Sequence, residues 1–297
     1  MKQKTVLGID IGGTKVGVGL VTNKGKIWDS LRYPQRYCEI EEWTEELSKK
    51  IQELLDRNEM EVEVTAIGVG SRGHVDFRNQ RLLSTTIMKV TPGFDLCGRL
   101  KNQFGLPVYI DNDVKAAACG ELLFGAGIQF QDFVCYNVGT GIAAAVVVNG
   151  KLVRGKGNNA GEIGYDLLAG PASDSSFRDL ESQASGRGIE RVTGMPAAVV
   201  FDQAKNGGRR AEEAVDRVLY LLSASVVNIA HLLDPQLFSF VGGVVSDPWF
   251  FDRLQRNVRA MTGEGWRFQL QVSNLGVEKI GILGAAGVAL YKRHIGS

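Results

Sequence analysis

The chain has 297 residues, of which 34 are basic and 33 acidic, for a net charge of +1, and 44% are hydrophobic. That length and apolar content suffice for two domains with cores of their own and exclude a disordered chain. Balanced charge with no polybasic run excludes the electrostatic footprint of a nucleic-acid or anionic-lipid binder, which leaves small molecules as the expected partners. The N-terminus, MKQKTVLGID, enters a strand at once with no signal-peptide core, and no apolar run approaches the roughly eighteen residues of a membrane span. A cytoplasmic location without membrane partners is expected. Cys38, Cys97, Cys119 and Cys135 lack CxxC spacing, and His74, His231 and His294 are dispersed. These read as core thiols and scattered histidines, not as a disulfide framework or a histidine-rich metal site.

In chain order, residues 6–32 read as a strand, a tight turn of small residues in DIGGTK, a second strand, a polar turn and a third strand. The pattern returns at residues 133–154 around NVGTG. Gly12, Gly13, Gly139 and Gly141 lack a Cβ, so these turns are free to adopt positive φ and bring backbone N–H groups to an anion. Thr14 and Thr140 would add hydroxyl donors. Asp10 beside phosphates requires a cation between them, and Mg²⁺ is held by one or two carboxylates with nucleotide oxygens and water. The constellation reads as Mg-nucleotide binding. Glycine-rich hairpin turns are also plainly structural, but recurrence with the same flanking pattern favours phosphate. Neither turn matches GxxxxGK[ST] or GxGxxG, because each joins two strands.

Further along, Trp43, Leu47, Ile51, Leu54 and Leu55 recur at helical spacing, which predicts an amphipathic helix. A strand at 64–69 precedes an irregular segment at 71–92 with the turn residues Gly73, Pro92 and Gly93. A short strand is expected at 108–111 and a helix at 115–124, stopped by Gly125 and Gly127. After the second hairpin, residues 155–179 read as a long loop of the kind that is usually functional, with a helix beginning near Gly186. A long apolar helix at 211–233 ends before Pro235. A strand at 237–241 runs into Gly242 and Gly243, and a closing helix at 280–293 contains Gly284, Ala285 and Ala286 for close packing. Alternating strands and helices predict an α/β fold whose halves meet near residues 115–130. At the strand-to-helix junction of IDNDVKAAACGE, Asp111, Asn112 and Asp113 are either helix caps or a carboxylate base for a hydroxyl. Their position between the two turns in sequence, hence at an interdomain cleft, favours the base.

Taken together, DIGGTK, NDxxAAACGE, NVGTGIAAAVVVNGKLVRG, GEIGY, LESQASGRGIE, LDPQLFSFVGGVVS and GILGAAGVAL resemble the ROK family of bacterial sugar kinases and related repressors. The likeness runs from Leu7 to Tyr291, and with no preceding helix-turn-helix the chain resembles the kinase branch. It implies a two-domain actin-like or hexokinase-like (ribonuclease H-like) α/β fold with a duplicated βββαβα core and an interdomain cleft. The implied division is residues 1–117 plus 284–297 for the smaller domain and 118–283 for the larger. By the same resemblance, Asp10 positions Mg²⁺ through water, and Gly12, Gly13, Thr14 and Lys15 lie near the β- and γ-phosphates of ATP with Gly139, Thr140 and Gly141 opposite. Gly242 and Gly243 match adenosine-side glycines. Asp113 matches the catalytic base, while Gly73, Asn112, Glu162, Tyr165 and Glu181 fall on the sugar side. Carboxylates suit polyols because each accepts two directed hydrogen bonds from hydroxyls.

Departures from the family pattern bear on the substrate. Many members continue GEIGH into a CxCGxxGC zinc cluster, whereas this chain has Tyr165 and then no cysteine or histidine up to Glu190, so no zinc site is expected. Lys115 stands where the family usually has Asn, and His74 where a small or apolar residue is usual. Each is either a solvated or capping side chain or a ligand for an anionic or modified substrate. The resemblance implies transfer of the γ-phosphoryl of Mg-ATP to O6 of a hexose or hexosamine, or to a sugar-like polyol, by a homodimer. A sugar-sensing protein with weak or no kinase activity is the alternative, and an actin-like ATPase the more distant one.

Overall fold

The computed structural model describes residues 2–167, 179–263, 265 and 267–295. The chain forms two compact units, residues 1–129 with 154–158 and 274–297, and residues 130–153 with 159–273.

The first unit is built on a mixed sheet. Strands β1 (Gln3–Ile11), β2 (Lys15–Thr22) and β3 (Ile27–Pro34) are antiparallel neighbours, and β4 (Val62–Ser71) pairs parallel with β1. Two further strands, β5 (His74–Asp76) and β6 (Arg81–Ser84), pair only with each other, and β7 (Val108–Asn112) completes the order β3-β2-β1-β4-β7. Both faces of β1 are buried, which is why it reads as a nearly continuous apolar run. One face is covered by α1 (Ile40–Asp56), whose Ile40, Trp43, Leu47, Ile51 and Leu54 are buried at helical spacing. Beside it lies α2 (Leu96–Phe104), N-capped by Asp95 and closed by Gly105 in the left-handed region at φ 68°. The segment expected to be irregular thus contains the β5–β6 hairpin, too short to give a periodic signal. Likewise α2 presents only three buried residues to the sheet.

The opposite face belongs to α9 (Ile280–Ile295) and α3 (Asp113–Phe124), and here small residues decide the geometry. A Cβ on Gly8 would strike the carbonyl oxygen of Ile282, and one on Gly68 that of Ala285. On the α3 side, a Cβ on Gly284 would lie 2.7 Å from Ala116 backbone atoms and one on Gly287 2.9 Å from Cys119 and Gly120 backbone atoms. Sheet, α9 and α3 meet backbone to backbone, as the GILGAAG run led one to expect. Because α3 is locked to α9 along its length, it belongs wholly to the first unit, whereas the division expected at residue 117 would cut it.

In the second unit, β8 (Phe133–Val138), β9 (Ile142–Val148), β10 (Lys151–Leu152), β11 (Leu237–Val241) and β12 (Gln269–Val272) repeat the pattern in the order β10-β9-β8-β11-β12. Its helices are α4 (Leu180–Ala184), α5 (Gly186–Thr193), α6 (Ala197–Lys205), α7 (Arg209–Leu233) and α8 (Pro248–Thr262). The core holds Phe238, Phe240, Leu222, Val226 and Phe250, and the buried Tyr136 hydroxyl donates to Ser225 Oγ at 2.9 Å. By length and composition α7, at 25 residues, is the one described helix apolar enough to cross a membrane, and 56% of that apolar window is buried within the fold. Of the loop expected at 155–179, residues 168–178 lie outside those described.

Gly68→Ala is expected to destabilise the protein by about 1–3 kcal/mol or more, because neither of the touching backbones can yield. Urea unfolding measures this, and an unchanged midpoint would mean that α9 does not pack on β4 at this point.

Candidate active site

The register of the first sheet levels the ends of its strands. Arg32 lies opposite Gly17, Gly17 opposite Asp10, Asp10 opposite Gly70, and Gly70 opposite Asp111. These residues form one row, so their side chains share a face. Two glycines in the row let α9 and α3 approach it: a Cβ on Gly17 would lie 3.1 Å from the Ile282 side chain, and one on Gly70 would lie 3.0 Å from Ala116 Cβ. The next row brings Ile11, Ser71 and Asn112 level. Chain segments leaving the carboxyl ends of β1, β4 and β7 therefore emerge together, which is where open α/β sheets bind ligands.

From β1 the chain turns through Gly12, Gly13 and Thr14 into β2, closed by Gly12 N–H donating to Lys15 O at 3.1 Å. None of Gly12, Gly13, Gly139 or Gly141 has positive φ, contrary to the expectation from sequence. Gly12 and Gly13 instead provide room: a Cβ on the first would lie 2.9 Å from Lys15 O, and on the second 3.4 Å from the Arg72 guanidinium. The left-handed glycines among the candidates are Gly73, at φ 121°, and Gly242, at φ 106°.

Asp10 is partly buried, its carboxylate against Gly281 in the first turn of α9. Burial, then the like charge of Asp113, push its pKa up to about 7, with Arg32 pulling the other way. Two carboxylates in mutual repulsion, with hard oxygen donors, fit a divalent cation such as Mg²⁺. No group of three or more His, Cys, Asp or Glu side chains able to hold a metal occurs among the described residues, so an ion here would complete its shell with nucleotide oxygens and water.

Asn112 caps α3, its side chain accepting from Val114 N–H at 3.0 Å while its amide donates to Gly73 O at 3.3 Å. Asp113 Oδ1 also accepts from Val114 N–H at 2.9 Å. Behind them Asp111 is fully buried, ion-paired to Arg154 at 2.6 Å and accepting from Asn158 at 3.0 Å. Arg154 and Lys292 both lie over the Phe77 ring, at 4.3 and 4.8 Å from its centroid. Lys115 is 1% exposed, so the solvated alternative is overturned for it, whereas His74 is exposed.

In the second unit, Gly139 N–H donates to Gly141 O at 3.0 Å, and Gly139 O accepts from Gly186 N–H at 2.8 Å, so the turn through Thr140 abuts the start of α5. Val241 lies opposite Asn137 across β11 and β8, which levels Gly242 and Gly243 with the turn. A Cβ on Gly242 would strike Val138 O. Glu181, on α4, accepts from Ile142 N–H at 2.8 Å through Oε2, which ties it to the strand leaving the turn. Glu162 is part-buried ahead of the 3₁₀ turn Ile163–Tyr165, and Tyr165 is 65% exposed.

Arg72, Arg32, Arg154 and Asn158 are absent from the set read from sequence. Arg72 was legible in principle, since it directly follows a parallel strand beside Gly73. Arg32 and Arg154 needed the sheet register and the tertiary fold.

A sequence model of the ROK family matches residues 6–292. A glucokinase of Thermotoga maritima is 30% identical, covering 97% of this chain and 98% of its own. The ROK hexokinase of Thermus thermophilus superposes with a TM-score of 0.83 at 26% identity, over 98% of this chain and 99% of that one. A ROK family glucokinase from Streptomyces griseus, solved with glucose and AMPPNP, gives 0.77 at 26% identity over 95% and 98%. The α/β fold is that of the hexokinase-like and actin-like proteins. The chain belongs to the ROK family.

A carboxyl whose pKa rises from 3.8 to about 7 on folding contributes stability below 3.8 and loses it as pH climbs through about 7. In metal-free protein, Asp10→Asn is therefore expected to raise the melting temperature relative to the parent at about pH 8 and to leave a much smaller difference at about pH 4. Melting curves test this. Parallel profiles across that range would show that Asp10 carries no raised pKa.

Proposed function

We propose that this protein is an ATP-dependent sugar kinase that transfers the γ-phosphoryl group of Mg-ATP to a hydroxyl, O6 by preference, of a hexose, hexosamine or sugar-like polyol. The observation that carries the reading is the level edge of the first unit, where a glycine turn, the repelling pair Asp10 and Asp113, and the capped Asn112 emerge from adjacent strand ends. Membership of the ROK family supports it, as do relatives named glucokinase.

In this reading Asp113 accepts the proton of the attacking hydroxyl, and Val114 N–H orients its carboxylate. The acceptor oxygen forms a bond to the γ-phosphorus as the bond to the β-phosphate bridging oxygen breaks, its electron pair leaving with ADP. Asp10 holds Mg²⁺ through water. When bound, that ion neutralises charge on the β- and γ-phosphate oxygens. Gly12, Gly13, Thr14 and Lys15 in the first unit, and Gly139, Thr140, Gly141, Gly242 and Gly243 in the second, contact the nucleotide. Gly73 and Asn112 in the first unit, and Glu162, Tyr165 and Glu181 in the second, bind the sugar. Glu181 keeps one oxygen for this after Oε2 is spent on Ile142 N–H. The exposed phenol of Tyr165 offers a hydroxyl that can donate and accept, which favours an acceptor recognised by hydrogen bonds. A cytoplasmic homodimer is part of the same reading, on family likeness alone.

ADP release from Mg-ATP over a panel of hexoses, N-acylhexosamines, ketoses and cyclitols is expected to reveal one strongly stimulating class. Asp113→Asn should lower its turnover by roughly 10²–10⁴-fold with Mg-ATP affinity nearly unchanged. Equal losses in turnover and affinity would remove Asp113 as the base, and no stimulation by any acceptor would remove the kinase.

A further inference from the structure

Of the cations around the first turn, two share one partner. Lys15 Nζ lies 4.0 Å from Glu278 and Arg32 3.6 Å from the same carboxylate, and the Arg32 guanidinium also donates to Glu278 O. Arg72 differs. Its backbone is fastened to the end of β1, its N–H donating to Ile11 O at 3.2 Å, and its guanidinium stands over the turn, 3.4 Å from where a Cβ on Gly13 would be. Gly13 is not among the glycines of positive φ, and the guanidinium lies at contact distance above it. The side chain is half-buried, and among the described residues no carboxylate pairs with it. A partly desolvated guanidinium beside a turn of backbone N–H groups is costly unless a ligand brings negative charge. Its planar fork of donors matches the oxygens of a phosphoryl group.

We propose that Arg72 is a catalytic residue that binds the γ-phosphoryl group of the nucleotide while it is transferred. The inference rests on the kinase reading above and adds to it the cation that meets the moving group. During transfer the P–O bond to the β-phosphate breaks and the acceptor oxygen bonds to phosphorus. The acceptor proton passes to Asp113 and ADP departs with the bonding electrons. Negative charge spreads over the equatorial oxygens, and Arg72 offsets it without gaining or losing a proton. Thr14 and the turn N–H groups fix the position of the phosphates, whereas Arg72 enters from a different strand end and engages the terminal group alone.

The test compares binding of Mg-AMPPNP with that of Mg-ADP by calorimetry in the parent, Arg72→Gln and Arg72→Lys, with turnover measured beside it. Loss of Arg72 is expected to weaken Mg-AMPPNP roughly tenfold or more while leaving Mg-ADP nearly unchanged, and to lower turnover more than it raises the acceptor KM. Arg72→Lys should recover part of both, because the charge returns without the fork. Equal weakening of the two nucleotides, or none, would overturn the assignment. Should the parent transfer to no acceptor, the kinase reading falls, yet the difference between the two nucleotides still decides whether Arg72 meets the terminal phosphoryl. Binding of neither nucleotide by the parent overturns both. Melting curves separate a folding defect in Arg72→Gln from a binding one, and in that case Arg72→Lys alone must show the selective loss.

Discussion

The backbone-to-backbone contact of α9 with β1, β4 and α3 is the constraint on which the first unit depends. Gly8, Gly68, Gly284 and Gly287 leave no space for a Cβ at their positions, so the helix can sit at only one depth and one register. That register puts Gly281 against the Asp10 carboxylate and holds α3 so that Asp113 follows directly from the end of β7. A shift of α9 by one residue would bring side chains of Ile282 or Leu283 onto strand backbone.

Electrostatics in this unit follow from that packing. Burial and then the like charge of Asp113 raise the Asp10 pKa to about 7, and a bound cation would favour the ionised carboxylate. Arg32, level with Asp10 across Gly17, moderates this. A second layer lies behind. The fully buried Asp111 is matched by Arg154 and Asn158, and removing one partner of such a pair leaves an uncompensated buried charge. Lys292 shares the Phe77 ring with Arg154, and its own pKa is lowered, first by burial and then by Arg154. This layer clamps the strand that ends at Asn112, just before Asp113, so the placement of the Asp113 carboxylate is supported from the interior.

The two sheets carry the same strand order, three antiparallel strands continued by two parallel ones, and each places a glycine turn after its first strand. They use glycine differently. In the first unit Gly12 and Gly13 leave room for Lys15 O and for Arg72, whereas in the second the left-handed Gly242 lets β11 end tightly against Val138 and the turn beyond it. Glu181 then ties α4 to the start of β9. Each turn is thus held by groups distant in sequence.

Much of this was legible in the residues themselves. Strand runs, the α1 stripe from Trp43 to Leu54, the repeated glycine turns, the caps at Asn112 and Asp113 and the small-residue face of the closing helix each announce themselves by local spacing or turn chemistry, because those features depend on neighbours within a few positions. The β5–β6 hairpin, α2 and β12 did not, since three- to nine-residue elements bury too few side chains for a periodic signal. What only the tertiary structure decided was which charges meet. Arg32 comes level with Asp10 through sheet register, Arg154 reaches Asp111 across 43 positions of sequence, Lys115 turns out to be buried, and the Arg72 guanidinium lies over Gly13. Pairings of that kind depend on the depth at which elements pack, and the pattern of one element carries no record of the element that will lie against it.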